Sequence, residues 1–190
     1  MQHAIVPVHA PVAALRGRAL VLAQRAAATE ALHASAARCG APATFERDAN
    51  GAPRARDGWW WSTAHTDGLA VAALARTRLG VDVERLARPR LAAARAHLAR
   101  DLALLGRDDD RAVVSLWSAC EAVVKRAGVG VAGLPHCRLI DADGSRWRIA
   151  YRGAPTLVHV HHCEQHVIAI AAGDAEVAAP VGSTELEASA

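Results

Sequence analysis

Apolar residues recur at helical spacing through residues 12–38, with Leu15, Ala19, Leu22 and Ala26 in phase, and the pattern stops at Gly40 and Pro42. This predicts one long helix with a glycine stop. A short segment around Phe45 follows, then a turn signal at Asn50-Gly51. Trp59–His65 and Leu69–Ala75 read as two strands joined by the polar turn Thr66-Asp67-Gly68. Leu79–Arg85 reads as a third strand, with Val81 and Val83 on one face and Asp82 and Glu84 on the other. Helices are expected over Leu91–Leu105 and Arg111–Ala127. Asp108-Asp109-Asp110 suits the first turn of the second helix, and Gly128 and Gly130 its end. Further strands are expected at Cys137–Asp141, Trp147–Tyr151, Thr156–His162 and His166–Ala172, with a hairpin turn at Asp143-Gly144. The order helix, strands, helices, strands predicts an α+β fold of two halves packed side by side, not alternating parallel β-α units. The halves are placed at 1–77 and 78–174; residues 175–190, where periodicity gives way to Pro, Gly, Ser and Glu, are expected to be a flexible tail.

At 190 residues, 52% hydrophobic and 22% charged, the chain is expected to fold as one domain or two small lobes sharing a core. No uncharged apolar run reaches the roughly 18 residues of a membrane-spanning helix. Met1–Leu15 is apolar, but it lacks a basic n-region and contains Pro7 and Pro11, which argues against a signal peptide. The net charge of +3 favours acidic partners, yet no basic stripe or helix-turn-helix pattern points to nucleic acid. Cys39, Cys120, Cys137 and Cys163 are far apart without a C-x-x-C pair, which suits reduced thiols in a cytoplasm. Arginine supplies every basic residue except Lys125, the only lysine.

That lysine lies in the segment of greatest chemical interest. Trp117, Glu121 and Lys125 are spaced i, i+4, i+8 and share one helix face. A stabilising Glu–Lys pair explains the spacing without any chemistry, but not why the sole lysine stands there. In Gly80-Val81-Asp82-Val83-Glu84 two carboxylates lie on one strand face, roughly 6.5–7 Å apart along the strand, near enough to reach one cation. An ordinary exposed strand would look the same. Together, Asp82, Glu84 and Glu121 offer three hard oxygen ligands suited to magnesium, with Lys125 as a point charge for a phosphate beside it.

These residues resemble the 4'-phosphopantetheinyl transferases, in particular the monomeric, surfactin-synthetase-activating type. The resemblance covers about residues 15–172. It is carried by Gly80-Val81-Asp82-Val83-Glu84, by Trp117-Ser118-x-x-Glu121-Ala122-x-x-Lys125, by Trp61-Ser62-Thr63-Ala64-His65-Thr66 and by Leu15-Arg16-Gly17-Arg18-Ala19-Leu20. It implies a pseudo-dimer of two similar α+β halves in one chain, hence a monomer, with coenzyme A in the cleft between them. The implied reaction moves the phosphopantetheine arm of coenzyme A to a serine of an acyl or peptidyl carrier protein. Position by position, Asp82, Glu84 and Glu121 hold magnesium, Lys125 contacts phosphate oxygens, His65 meets the 3'-phosphate, and Glu121 is the candidate for taking the serine proton.

The chain departs from the family pattern where a lysine is usual: Cys120 precedes the helix glutamate and Ala52 occupies a glycine-lysine-proline turn. Ala64 replaces a serine. Arg16, Arg18, Arg54 and Arg56 lie where cations are missing and are the candidates to compensate, Arg16 and Arg18 as coenzyme A contacts. The expectation is an active but weaker coenzyme A binder, with Cys120→Lys tightening binding. The alternative is a catalytically silent homologue that binds coenzyme A or a carrier protein. Arg76, Arg78, Arg88 and Arg90 flank the acidic strand and are placed to steer an acidic carrier protein, or simply to keep the surface soluble. His159 and His161 share a strand face at metal-ligand spacing, opposite Val158 and Val160 as in an ordinary half-buried strand. Trp59, Trp60 and Trp61 read as packing residues ahead of a stacking platform.

Overall fold

The computed structural model describes residues 2–7, 15–49, 51–87 and 91–173. Asn50, Arg88, Arg90 and the expected tail 175–190 lie outside the described residues. The chain is mixed α and β: β1 (Gln2–Pro7), α1 (Gly17–Cys39), β2 (Trp60–Thr66), β3 (Leu69–Ala75), β4 (Gly80–Arg85), α2 (Leu91–Leu105), α3 (Asp110–Ala127), a 3-10 turn (Val131–His136), then β5 (Cys137–Asp143), β6 (Arg146–Tyr151), β7 (Ala154–Cys163) and β8 (His166–Ala172). All pairings are antiparallel, in a three-stranded sheet β1-β3-β2 and a five-stranded sheet β4-β8-β7-β6-β5.

Two elements differ most from the sequence pattern. The described part of α1 begins at Gly17, after an extended Arg16, and ends at the left-handed Gly40 (φ 64°). Gln2–Pro7 is a strand, paired from Gln2↔Leu74 to Pro7↔Leu69. Prolines hid it, yet Pro7 sits at the end of an edge strand, where a missing donor is tolerated.

Strand β3 explains how the layers stack. All seven of its residues are buried. Ala72 and Leu74 cluster with Ala31, Leu32 and Ala36 of α1. Leu69, Val71 and Ala73 turn the other way, onto Val81 and Val83 of β4 and Ile168 and Ile170 of β8. The far face of the five-stranded sheet, with Val158, Val160 and Ala169, is covered by α2 and α3. The order is therefore helix, sheet, sheet, helices, and the sheets meet where β2 lies beside β4: Val81 N donates to Ser62 Oγ at 3.0 Å.

Helix α3 is held at both ends. Asp109 caps it by accepting from Ala112 N at 2.9 Å, and Gly128 closes it in the left-handed conformation (φ 73°). From Ala112 to Val124 every residue is buried except Trp117 and Glu121, and half-buried Lys125 continues their line. Strand β4 crosses this helix without a side chain between them at Gly80. A Cβ there would stand 2.1 Å from Ala122 O and 2.5 Å from Arg126 N. The strand partners of that face, Ala171 opposite Gly80 and Ala169 opposite Asp82, are small as well. Gly80→Ala is accordingly expected to destabilise the fold by about 1–3 kcal/mol, through forced separation of β4 and α3. Chemical denaturation of the variant beside the parent checks this.

Candidate functional site

A cleft of about 790 Å³ opens between α1, the Phe45–Gly51 stretch, β2, β4 and α3. At one end stand Asp82 and Glu84 of β4 with Glu121 and Lys125 of α3. The alternation of β4 sends Val81 and Val83 into the core between the sheets and turns Asp82 and Glu84 toward α3. One oxygen each from Asp82, Glu84 and Glu121 lie within 4.8 Å of one another. That spacing approaches the roughly 3–4 Å between ligand oxygens of a small octahedral cation. Lys125 supplies one positive charge against three negative ones, so the net local charge of −2 matches a divalent ion. Among the described residues this is the sole group of three His, Cys, Asp or Glu side chains able to hold a metal.

Two of the acidic side chains, Asp82 and Glu121, are oriented by hydrogen bonds. Asp82, 4% exposed, takes Lys125 Nζ on Oδ1 at 2.6 Å and Ser118 Oγ on Oδ2 at 2.9 Å. Trp117 Nε1 donates to Glu121 Oε1 at 2.8 Å, and the indole itself meets His97 edge to face. Burial works against the Lys125 ammonium, but Asp82, Glu121 and Glu84 together outweigh it and raise its pKa. His65 responds in the opposite sense: burial first, then the charges of Lys125 and Arg25, lower its pKa, leaving a neutral imidazole at pH 7.

Basic residues line the cleft as well, but not the arginines singled out from the sequence. Arg16 bonds to Leu15 O at 2.7 Å and lines a separate cavity with Asp67, Glu164 and His166. Arg18 is exposed on α1, and Arg56 pairs with Glu46 at 3.0 Å. None of these three, nor Arg54, lines the cleft; Arg25 and Arg47 do. Arg47 lies 4.6 Å over the Trp61 ring and donates to Gly51 O at 2.8 Å and Thr63 Oγ1 at 3.3 Å. A cation therefore stands beside the Gly51-Ala52-Pro53 turn, whose expected lysine is missing. Burial first, then the Arg25 charge, lowers the Arg47 pKa. Arg25 was legible in principle, because Arg25, Thr29 and His33 form an i, i+4, i+8 polar stripe on α1 that faces the cleft. Arg47 sits in irregular chain and left no such signal.

Cys120 does not line the cleft either. It is 2% exposed, packed in the core beneath α3, and its thiol faces Cys137, which with burial pushes its pKa up. One residue along a helix is a turn of about 100°, enough to carry position 120 away from the cleft that Glu121 faces. The tryptophans serve packing: Trp61 is buried, while Arg76 and Arg78 stack on Trp59 and Trp60 at 3.9 and 5.2 Å. His159 and His161 stack with centroids 6.4 Å apart, and His162 Nε2 instead meets Ser115 Oγ at 2.9 Å.

The family model of the 4'-phosphopantetheinyl transferase superfamily matches residues 78–179, more than half of the chain, and both carboxylate-bearing elements fall inside that match. No curated protein matches the chain. Because Cys120 points into the core, Cys120→Lys is expected to cost about 3–5 kcal/mol of stability by burying an unpaired charge, not to tighten ligand binding. Thermal denaturation combined with coenzyme A titration separates the two effects.

Proposed function

Since this chain belongs to the 4'-phosphopantetheinyl transferase superfamily, we propose that it moves the phosphopantetheine arm of coenzyme A to a serine of an acyl or peptidyl carrier protein, with magnesium held by Asp82, Glu84 and Glu121. The observation that carries this reading is the convergence of those three carboxylates and Lys125 from two elements in a cleft that Arg25 and Arg47 also line. A bound magnesium ion would supply charge neutralisation at the diphosphate.

The chain's own side chains do the rest. Lys125 offsets negative charge on the bridging oxygen as the nucleotide bisphosphate departs. Glu121, oriented by the Trp117 indole, takes the proton of the attacking serine while its oxygen bonds to the β-phosphorus and the bond to the bridging oxygen breaks. Neutral His65 binds the nucleotide end together with Arg25 and Arg47, the two arginines that line the cleft. The one chain lines the cleft from both sheets' sides, α1 and β2 with β4 and α3, which supports the monomeric, surfactin-activating type and halves at 1–77 and 78–174. Free thiols on all four cysteines and a coenzyme A substrate fit a cytoplasmic setting. Among the described residues no helix is long and apolar enough to cross a membrane. An acidic carrier would meet arginines already ordered on Trp59 and Trp60; Arg88 and Arg90 lie outside the described residues. A silent homologue would be expected to have lost part of the carboxylate–lysine group, and here it is intact.

The test is a mass measurement on an apo carrier protein incubated with coenzyme A, magnesium and this protein. Addition of the phosphopantetheine mass is expected, with Asp82→Asn and Glu121→Gln each slowing it about 10²–10⁴-fold. Coenzyme A binding without any mass gain would leave the silent reading standing. In calorimetry, Arg25→Ala and Arg47→Ala are each expected to weaken coenzyme A about tenfold, the loss of one charged hydrogen bond, and to weaken 3'-dephospho-coenzyme A less.

A further inference from the structure

Lys125 is committed to a carboxylate, not held in reserve for a phosphate. Its Nζ is 2.6 Å from Asp82 Oδ1 while Ser118 Oγ holds Oδ2, so both oxygens of a nearly buried carboxylate are engaged. A divalent ion ligated through Oδ1 would stand within a few ångströms of the ammonium, two positive centres repelling each other on one oxygen. The lysine has somewhere to go. Its side chain is 32% exposed and borders a second cavity of about 490 Å³, lined by Arg47, Gly51, Thr63 and Gly128, that adjoins the main cleft.

We propose that Lys125 is the resident counter-ion of Asp82 and that divalent-ion binding displaces it, releasing the ammonium to the phosphate-binding side of the cleft. Ser118 keeps the carboxylate aimed throughout, because it occupies the other oxygen. The exchange makes ion and phosphate ligand mutually supportive. The ion frees Lys125 from Asp82, and a phosphate holds Lys125 away from it, so each removes the other's competitor, and linkage makes the coupling equal in both directions. Arg47, which also lines the second cavity, opposes an ammonium arriving alone, which is why the phosphate matters. This rests on the reading of Asp82 as a metal ligand.

Having a single lysine makes the exchange directly observable in the unaltered protein. Lysine-selective ¹³Cε/¹⁵Nζ labelling leaves one side-chain amine signal in the NMR spectrum. Titration with magnesium alone is expected to move that signal, and magnesium with coenzyme A to move it further. Calorimetry should show magnesium binding about tenfold tighter in the presence of coenzyme A. Lys125→Met, which removes the competitor, should bind magnesium alone at least tenfold tighter than the parent, with the coupling to coenzyme A reduced. A lysine signal that stays put while Asp82-dependent magnesium binding saturates would overturn the exchange and leave the metal site standing. Equal or weaker magnesium binding by folded Lys125→Met would do the same. Magnesium binding unaffected by Asp82→Asn would overturn the metal reading itself, and the exchange with it.

Discussion

The site depends on how closely one strand lies on one helix. Gly80 lets β4 rest against the α3 backbone at Ala122 and Arg126, and that approach sets the register by which Asp82 reaches Ser118 and Lys125. A buried carboxylate is costly unless its oxygens are satisfied. Here both are, by the two α3 side chains that the contact brings within range. The acidic motif of the strand and the tryptophan–glutamate–lysine motif of the helix are thus two sides of one packing contact, and neither forms the site alone.

The cleft carries charge of both signs. Asp82, Glu84 and Glu121 converge there with one ammonium, Lys125, and Arg25 and Arg47 line the same cleft. Like charges repel within each set. A polyanionic ligand carrying a divalent ion relieves both, which a neutral or cationic small molecule would not. The burial that makes His65 neutral serves the same purpose, leaving it able to donate or accept a hydrogen bond without adding a third fixed charge.

Periodicity carried most of the fold. Alternation in β4 and the i, i+4, i+8 line on α3 placed the carboxylates and Lys125 on facing surfaces, and the Asp108-Asp109-Asp110 run and Gly128 marked the ends of α3, although only the structure shows Asp109 as its cap. What escaped was decided by tertiary packing. Gln2–Pro7 has its pairing partner some seventy residues away, so nothing local announces it as a strand. Position 120 was read through a motif in which lysine is usual, whereas the helix face turns it toward Cys137. The cations of the cleft were assigned to Arg16, Arg18, Arg54 and Arg56 by nearness in sequence, but which arginine reaches the cleft depends on where α1 crosses the sheet and how the irregular chain near Phe45 folds over Trp61.

A cation shared by Asp82, Glu84 and Glu121 is what the transfer chemistry requires, and the most direct measurement of it is an anomalous difference map from crystals of the intact protein grown with manganese. A single strong peak bounded by those three side chains is the expected result. No peak there, or a peak at His159 and His161 in its place, would contradict it.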